Sequence, residues 1–161
     1  MGDINPTERG FLSYIDKSRN YYLARGHNNP YRWASNSDAP FAPLTKPLEE
    51  SRIGLFTTAS LTENWKERRV YAAPSLPPPE SLYTRHLAWH KGATHTDDVE
   101  TFLPITSLNK YAEEKRIANI SRNFYGVPTD YSAEKTTNKF NPEALSHCHN
   151  DGVDAALLVA L

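Results

Sequence analysis

The sequence predicts an α/β fold in which a mostly parallel sheet has helices on both faces and is incomplete at its carboxyl end. Short apolar runs alternate along the chain with segments of helical periodicity, and such alternation is typical of parallel strands joined by helices. The last residues, 155–161, form an almost uninterrupted apolar run, as in a parallel strand that is buried on both faces. A length of 161 residues suits one domain.

The proline distribution predicts the domain organisation. Most of the twelve prolines lie in two zones, residues 28–47 and 71–83, and proline disfavours helix both at its own position and at the preceding one. Both zones are therefore predicted as extended connections. We predict a single domain over 1–161, in which 1–50 form a helix and a proline-rich arm and 51–161 form the α/β core.

The first two predicted elements are a helix and a buried strand. In "RGFLSYIDKSRNYYLARG" the residues Phe11, Ile15, Ser18 and Tyr22 recur at three- and four-residue spacings, and Gly26 stands where a helix would end. In "SRIGLFTTASL" an apolar core is bracketed by small residues, which is typical of a short buried strand whose carboxyl end opens into a loop.

The next two predicted elements are again a helix and a strand. "PITSLNKYAEEKRIANI" carries Thr106 and Ser107 near its start, either of which could cap the amino end of a helix of about three turns. "RNFYGVPTDYS" reads as a short strand that Pro128 stops.

The final predicted elements are a helix and a strand. In "FNPEALSHCHNDG", Asn141 is predicted as the N-cap, Pro142 as the first helical residue and Gly152 as the residue just past the end. The strand after it should bury four large side chains, each contributing about 1.5 to 3 kcal/mol if fully buried: Leu157, Leu158, Val159 and Leu161.

Composition argues against several classes of protein. Lys and Arg total 18 against 19 Asp and Glu, a formal net charge of -1, which argues against non-specific binding to nucleic acid or to an anionic membrane. The single cysteine, Cys148, cannot form an intramolecular disulfide, and the first residues lack a secretory signal, so we predict a cytoplasmic protein. The longest apolar run is too short to span a bilayer.

The mixed basic and aromatic segment 17–33 is interpreted as a core or subunit interface, in preference to a nucleic-acid surface.

A histidine-rich segment, "RHLAWHKGATHTDD", raises the question of a metal site. His86, His90 and His95 lie close to Asp97 and Asp98, and His at i and i+4 on a helix can bind zinc. Gly92 would end such a helix early, so we predict no metal site and regard the three histidines as weak candidates. The alternative is that Asp97 caps a short helix with a glutamate three residues later. Common phosphate-loop, G-x-S-x-G and H-E-x-x-H motifs are absent from the sequence.

Five ordered segments carry a resemblance to a known family: "GFLSYIDKSRNYYLARGHNNPYRW", "PFAPLTKPLEESRIGLFTTASL", "ATHTDDVETFLPITSL", "FYGVPTDYS" and "CHNDGVDAALLVAL". Together they resemble the amino-terminal portion of the selenoprotein B family of glycine, sarcosine, betaine and D-proline reductases, especially the D-proline-reductase-like branch.

The resemblance implies a specific chemistry. In this family a selenocysteine, or a cysteine in its place, follows the last strand at the head of a helix and cleaves a carbon–nitrogen bond of the substrate. That residue is expected just after Leu161, so no catalytic residue is predicted within this chain. The shared "THTDD" makes His95, Asp97 and Asp98 the candidates for a substrate pocket. The expected partners are other reductase subunits in an oligomer, and in the D-proline branch a partner subunit carries a pyruvoyl group.

Two functions stay open at this point. The first is a reductase subunit for a small amino-acid-like substrate, inactive alone because it lacks the redox motif. The second is a non-catalytic binding or assembly protein on the same scaffold. We expect the coding sequence to continue past Leu161, either through a UGA codon that is read as stop or because the chain was truncated in another way.

Overall fold

The structure, a computed structural model, describes residues 13–28, 37–38, 42–64, 66–159 and 161. The chain divides into two compact units, Met1–Ala39 and Pro40–Leu161.

The described part of the first unit is dominated by one helix, α1 (Tyr14–Ala24), which confirms the predicted helix. The Ser13 side chain caps its amino end, and none of its residues is buried. The chain leaves the helix through Gly26, whose φ of 83° lies in the left-handed region that favours glycine. Phe11 and residues 31–33 lie outside the described residues. Within the described ranges, no helix is long and apolar enough to cross a membrane.

Five strands of the second unit form one sheet, and the α/β prediction is confirmed. They are β1 (Arg52–Thr57), β2 (Tyr71–Pro74), β3 (Asn119–Ile120), β4 (Asn123–Gly126) and β5 (Ala155–Val159). β1 pairs in parallel with β3, β4 and β5, and only β2 runs antiparallel, against β4. Since Ile53 pairs with both Ile120 and Ala155, β5 lies along one side of β1, while β3 and β4 follow one another along the other side.

The β2 strand lies in a zone that the sequence predicts as an extended connection. Pro74 ends this strand opposite Asn123. Proline is tolerated there because β2 is at the end of the strand order, where a missing N–H does not interrupt a central ladder. Proline content therefore identified the extended backbone but not its pairing.

Helices cover both faces of the sheet, as predicted. α2 (Ile105–Glu113) packs on one face and α4 (Asn141–Asp151) on the other, and the short α3 (Ala133–Lys135) leads into α4. Because side chains alternate along a strand, Ile53 and Leu55 of β1 pack in one apolar cluster with Ile105 of α2, whereas Phe56 packs in a second cluster with Cys148 of α4.

The amino end of α2 is capped from outside the helix. Neither Thr106 nor Ser107 is the cap, so that prediction is wrong. Instead the Glu100 carboxylate accepts hydrogen bonds from the backbone N–H of Thr106 at 3.0 Å and of Ser107 at 2.7 Å. Asp98, and not Asp97, caps the 3-10 helix that contains Glu100, accepting from the Glu100 N–H at 3.0 Å. The predicted cap therefore lies one residue before the observed one.

The last helix begins earlier than its sequence signals indicate. Asn141 has helical backbone angles and is not an N-cap, because helical backbone runs on through α3 and a π-helical turn, Thr136–Phe140, into α4. Ser132 provides the cap at the start of α3. The Asn141 N–H bonds five residues back to the Thr136 carbonyl, and Pro142, which has no N–H, follows it. Gly152 ends α4 with φ 64°, as predicted.

The final strand is formed as predicted, but its burial is not. The exposed fraction is 41% for Leu157 and 73% for Leu158, and Val159 and Leu161 are half-buried. Full burial of all four side chains is therefore wrong. The reason is position: β5 pairs only with β1 among the described strands, and an apolar run does not distinguish an edge strand from a central one.

Candidate functional site

A cavity of about 440 Å³ lies where the parallel strands end. Thr58 follows β1, Val127 follows β4 and Leu161 lies just past β5, and all three line the cavity. In open α/β sheets, ligands bind outside the carboxyl ends of the strands. This edge of the sheet is therefore the candidate site.

Tyr71 forms one wall of the cavity by lying across Gly126. A Cβ on Gly126 would overlap the Tyr71 ring, so the glycine in "FYGVP" is required for this close approach. The Tyr71 hydroxyl donates a hydrogen bond of 2.8 Å to the Ala59 carbonyl in the loop after β1. Burial raises the pKa of Tyr71 well above its usual value, so the hydroxyl keeps the proton that this bond needs.

Leu161 is attached to the loop after β1. Its backbone N–H donates to the Thr58 hydroxyl oxygen at 3.0 Å, and the same hydroxyl lies 3.5 Å from the Leu161 carbonyl. Leu161 therefore lies at the carboxyl edge of the sheet, where the sequence predicts it.

Two arginines line the cavity, and each lies near a carboxylate. Arg68 Nη1 is 2.8 Å from Asp130 Oδ2, whereas Arg69 Nη1 is 3.9 Å from Glu67 Oε1. The backbone N–H of Ser132 and then the Arg68 guanidinium hold the pKa of Asp130 below its usual value, so Asp130 stays charged and fixes Arg68. The Arg69 pair is longer and more exposed, which leaves that side chain freer to turn toward a ligand.

His86 also lines the cavity. Its ring stacks on Tyr83 with centroids 5.5 Å apart and planes 5° apart, and Tyr83 is joined to Ser60 by two backbone hydrogen bonds of 2.7 and 2.8 Å. Burial, and after it the charge of Arg68, lowers the pKa of His86 below its usual value.

The residues predicted for a substrate pocket lie elsewhere. His95 Nδ1 is 3.5 Å from Asp97 Oδ2, with 91% of the Asp97 side chain exposed, and Asp98 is used as a helix cap. None of the three lines the cavity. Their segment is joined to the one that carries His86 by the Thr84 and Thr96 hydroxyls, 2.6 Å apart. Their functional role stays a prediction.

The weak metal candidates are also separated. His86 lines the cavity, whereas His90 and His95 are exposed and do not line it. In the part of the chain that the structure describes, no group of three or more His, Cys, Asp or Glu side chains could hold a metal ion.

Sequence reasoning missed the two arginines of the site. Arg68 and Arg69 are adjacent in "KERRVY", but nothing in that spacing points to Asp130, which lies far along the chain. The available signal was position, because "VPTD" follows a predicted strand and polar residues after parallel strands meet at one edge.

A second polar cluster lies at the amino ends of the strands, around Asp151. Its side chain is 3% exposed and accepts hydrogen bonds from the Tyr125 hydroxyl at 2.8 Å, Asn123 Nδ2 at 2.8 Å and Arg122 Nε at 2.7 Å. Burial raises the pKa of Asp151, but these three donors more than offset that effect and hold the pKa below its usual value. The Asp151 carboxylate itself is buried, but the cluster is open to solvent on one side through Arg122, whose side chain is 75% exposed.

An interruption in the pairing along β1 places Arg122 beside Asp151. Phe56 is three residues after Ile53 in β1, but their partners, Tyr125 and Ile120, are five residues apart. The extra residues lie between β3 and β4, and Arg122 among them donates to Asp151.

Comparisons with protein-family models, curated proteins and solved structures find no match to this chain. The resemblance to the selenoprotein B family therefore stays a prediction that depends on the quoted segments alone.

Proposed function

We propose that the cavity binds the carboxylate of a small amino-acid-like substrate, and that the chain acts as a subunit of a reductase that cleaves the carbon–nitrogen bond of glycine, sarcosine, betaine or D-proline type compounds. The observation that carries the proposal is the convergence of Arg68 and Arg69 on a cavity at the carboxyl edge of a parallel sheet. Guanidinium groups are preferred partners of carboxylates because they can donate two parallel hydrogen bonds.

The size and lining of the cavity agree with such a ligand. A volume of about 440 Å³ is within the range of roughly 300–1,000 Å³ that is usual for small-molecule sites. Apolar walls from Leu87, Val127 and Pro128 stand beside the hydroxyl groups of Thr58 and Thr62. An amino-acid-like molecule presents the same combination of a short apolar body and polar ends.

The remaining chemistry of the proposal comes from the family resemblance. There, a selenocysteine or cysteine follows the strand that precedes Leu161, and Leu161 lines the cavity. A positive group nearby would favour the anionic form of such a nucleophile. Partner reductase subunits in a cytoplasmic oligomer, with a pyruvoyl group on one of them for the D-proline branch, complete the proposal. Nucleic acid is not a proposed partner.

Calorimetric titration of the 161-residue chain with glycine, sarcosine, betaine and D-proline tests the binding step. At least one should bind, and Arg68→Met should weaken that binding by about tenfold because one charged contact is lost. The matched control is Arg116→Met: Arg116 also lies near a carboxylate, at 3.6 Å from Glu114, but outside the cavity.

Two outcomes would overturn the proposal. One is that none of the four compounds binds at millimolar concentration. The other is that Arg68→Met and Arg116→Met change the affinity equally, because the cavity would then have no part in binding.

A second candidate function is binding or assembly without catalysis. It is favoured by the exposed side chains of Leu157 and Leu158 on an edge strand, since edge strands and exposed apolar patches are often used in association. Sedimentation analysis distinguishes the candidates: concentration-dependent association that Leu158→Lys abolishes, without binding of any of the four carboxylates, would support assembly.

A further inference from the structure

One of the two arginines of the cavity is already firmly paired with a carboxylate. Arg68 is paired with Asp130, which also lies 3.9 Å from Lys135, so an anionic ligand would have to compete with Asp130 for Arg68. The longer, exposed contact of Arg69 with Glu67 competes little, and Arg69 supplies one fixed charge. The titratable and charged groups that line the cavity are Glu67, Arg68, Arg69, Tyr71, His86 and Tyr131.

His86 is the group among these that can add positive charge near neutral pH. An imidazole ordinarily titrates near pH 6.5, whereas the guanidinium groups are always charged. Its ring is fixed by stacking on Tyr83, and Tyr83 is bonded through its backbone to Ser60, which also lines the cavity. The imidazole is thus held beside the ends of the parallel strands.

The environment of His86 keeps the imidazole neutral until an anion arrives. Burial and the charge of Arg68 lower the pKa of His86, so the neutral form dominates at pH 7. A carboxylate bound between Arg68 and His86 would offset the repulsion from Arg68 and favour the imidazolium. By linkage, a ligand that raises the pKa of a group is bound together with a proton.

We propose that His86 is a second cationic contact of the ligand carboxylate, and that the cavity takes up a proton at His86 when the ligand binds. The inference rests on the proposed carboxylate binding and assigns the residue that makes this binding stronger as the pH falls.

Calorimetric titrations of betaine in buffers of different ionisation enthalpy test the inference. Betaine is the preferred probe because its quaternary nitrogen carries no proton, so any proton taken up must come to the protein; D-proline is the second probe. Near pH 7 the wild-type chain should take up a proton, toward one per ligand bound. The affinity should rise by up to about tenfold for each pH unit of fall across the shifted titration.

His86→Gln should abolish both the proton uptake and the pH dependence, because glutamine can donate a hydrogen bond but does not titrate in this range. The matched control is His90→Gln: His90 is exposed, lies in the same segment and does not line the cavity, so its replacement should leave both unchanged. NMR titration of the His86 ring in the wild-type chain gives the same information without a variant, and the ligand should raise its pKa.

The results separate the two proposals. If none of the four compounds binds, the proposed carboxylate binding fails, and this inference fails with it; if only glycine or sarcosine binds, that compound replaces betaine as the probe. If a probe binds with an affinity that is independent of pH, or if His86→Gln still takes up the proton, only the role of His86 is overturned.

Discussion

The two polar clusters of the sheet differ in how their charges are used. At the amino ends of the strands, Asp151 is buried and accepts three hydrogen bonds of 2.8 Å or less from protein side chains. At the carboxyl ends, Arg68 and Arg69 face a cavity, and the Arg69 pair has a separation of 3.9 Å. Removing a buried carboxylate leaves its donors without an acceptor and lowers stability, whereas a charge beside open space can exchange a partner for a ligand.

The comparison predicts that variants at the Asp151 end change stability and that variants at the cavity end change binding. This follows because the Asp151 carboxylate is 3% exposed and its loss would remove an acceptor from the buried Tyr125 hydroxyl, although Arg122, with 75% of its side chain exposed, would stay in water. At the cavity end water or a ligand can replace the lost partner.

Asp151→Ala should have the largest effect. It would remove the common acceptor of Tyr125, Asn123 and Arg122. Arg122 is 75% exposed and stays in water, so the loss comes mainly from the two less exposed donors, and we expect the free energy of unfolding to fall by about 2–4 kcal/mol in urea titrations. Asp97→Ala, which removes an exposed carboxylate, is the control and should change the free energy by less than about 0.5 kcal/mol. A loss of less than about 1 kcal/mol for Asp151→Ala would show that the network is not structural.

Gly126→Ala should have an intermediate effect on stability and should also change the cavity. The new Cβ collides with the Tyr71 ring, so Tyr71 must move and its hydrogen bond to Ala59 is lost. We expect a loss of about 1–3 kcal/mol, measured by thermal unfolding, together with weaker ligand binding. Gly92→Ala is the control because the nearest atom to its Cβ, in His90, is 3.6 Å away. Equal effects of the two substitutions would contradict this packing.

The pH dependence of stability should show the smallest effect. The pKa of Asp151 in the folded chain is below its usual 3.8, so its stabilising contribution is present above pH 3.8 and is lost as the pH falls through the lower, folded-state pKa. The difference in unfolding free energy between the wild type and Asp151→Asn should therefore shrink between pH 5 and pH 2.5. A difference that stays constant over this range would mean that Asp151 is not the titrating group. Comparison with one variant isolates Asp151 from three other carboxyls whose pKa values are also lowered: Glu100, Asp130 and Asp154.

The prediction of the candidate site from sequence was partial. The segments after "GLFT" and "NFYG" were predicted to end strands, and both line the cavity through Thr58 and Val127. His86 was identified, but as a weak metal candidate. The sequence favoured three residues that the structure does not bring to the cavity: His95, Asp97 and Asp98. They were favoured because local sequence cannot show which face of the 84–98 segment turns toward the strand ends.

The sequence by itself determined the local elements: helix α1, strands β1, β4 and β5, the αL end of α4 at Gly152, and the parallel α/β class. These depend on periodicity and on backbone preferences within a few residues, which a single chain displays directly. Tertiary structure alone decided that β5 is an edge strand among the described strands, with Leu158 exposed, that Glu100 caps α2, and that Arg68 meets Asp130. Each of these three features depends on contacts that form when the sheet and its helices pack. The residues in contact are distant along the chain or lie outside the element that they cap. Local sequence preferences do not contain that information.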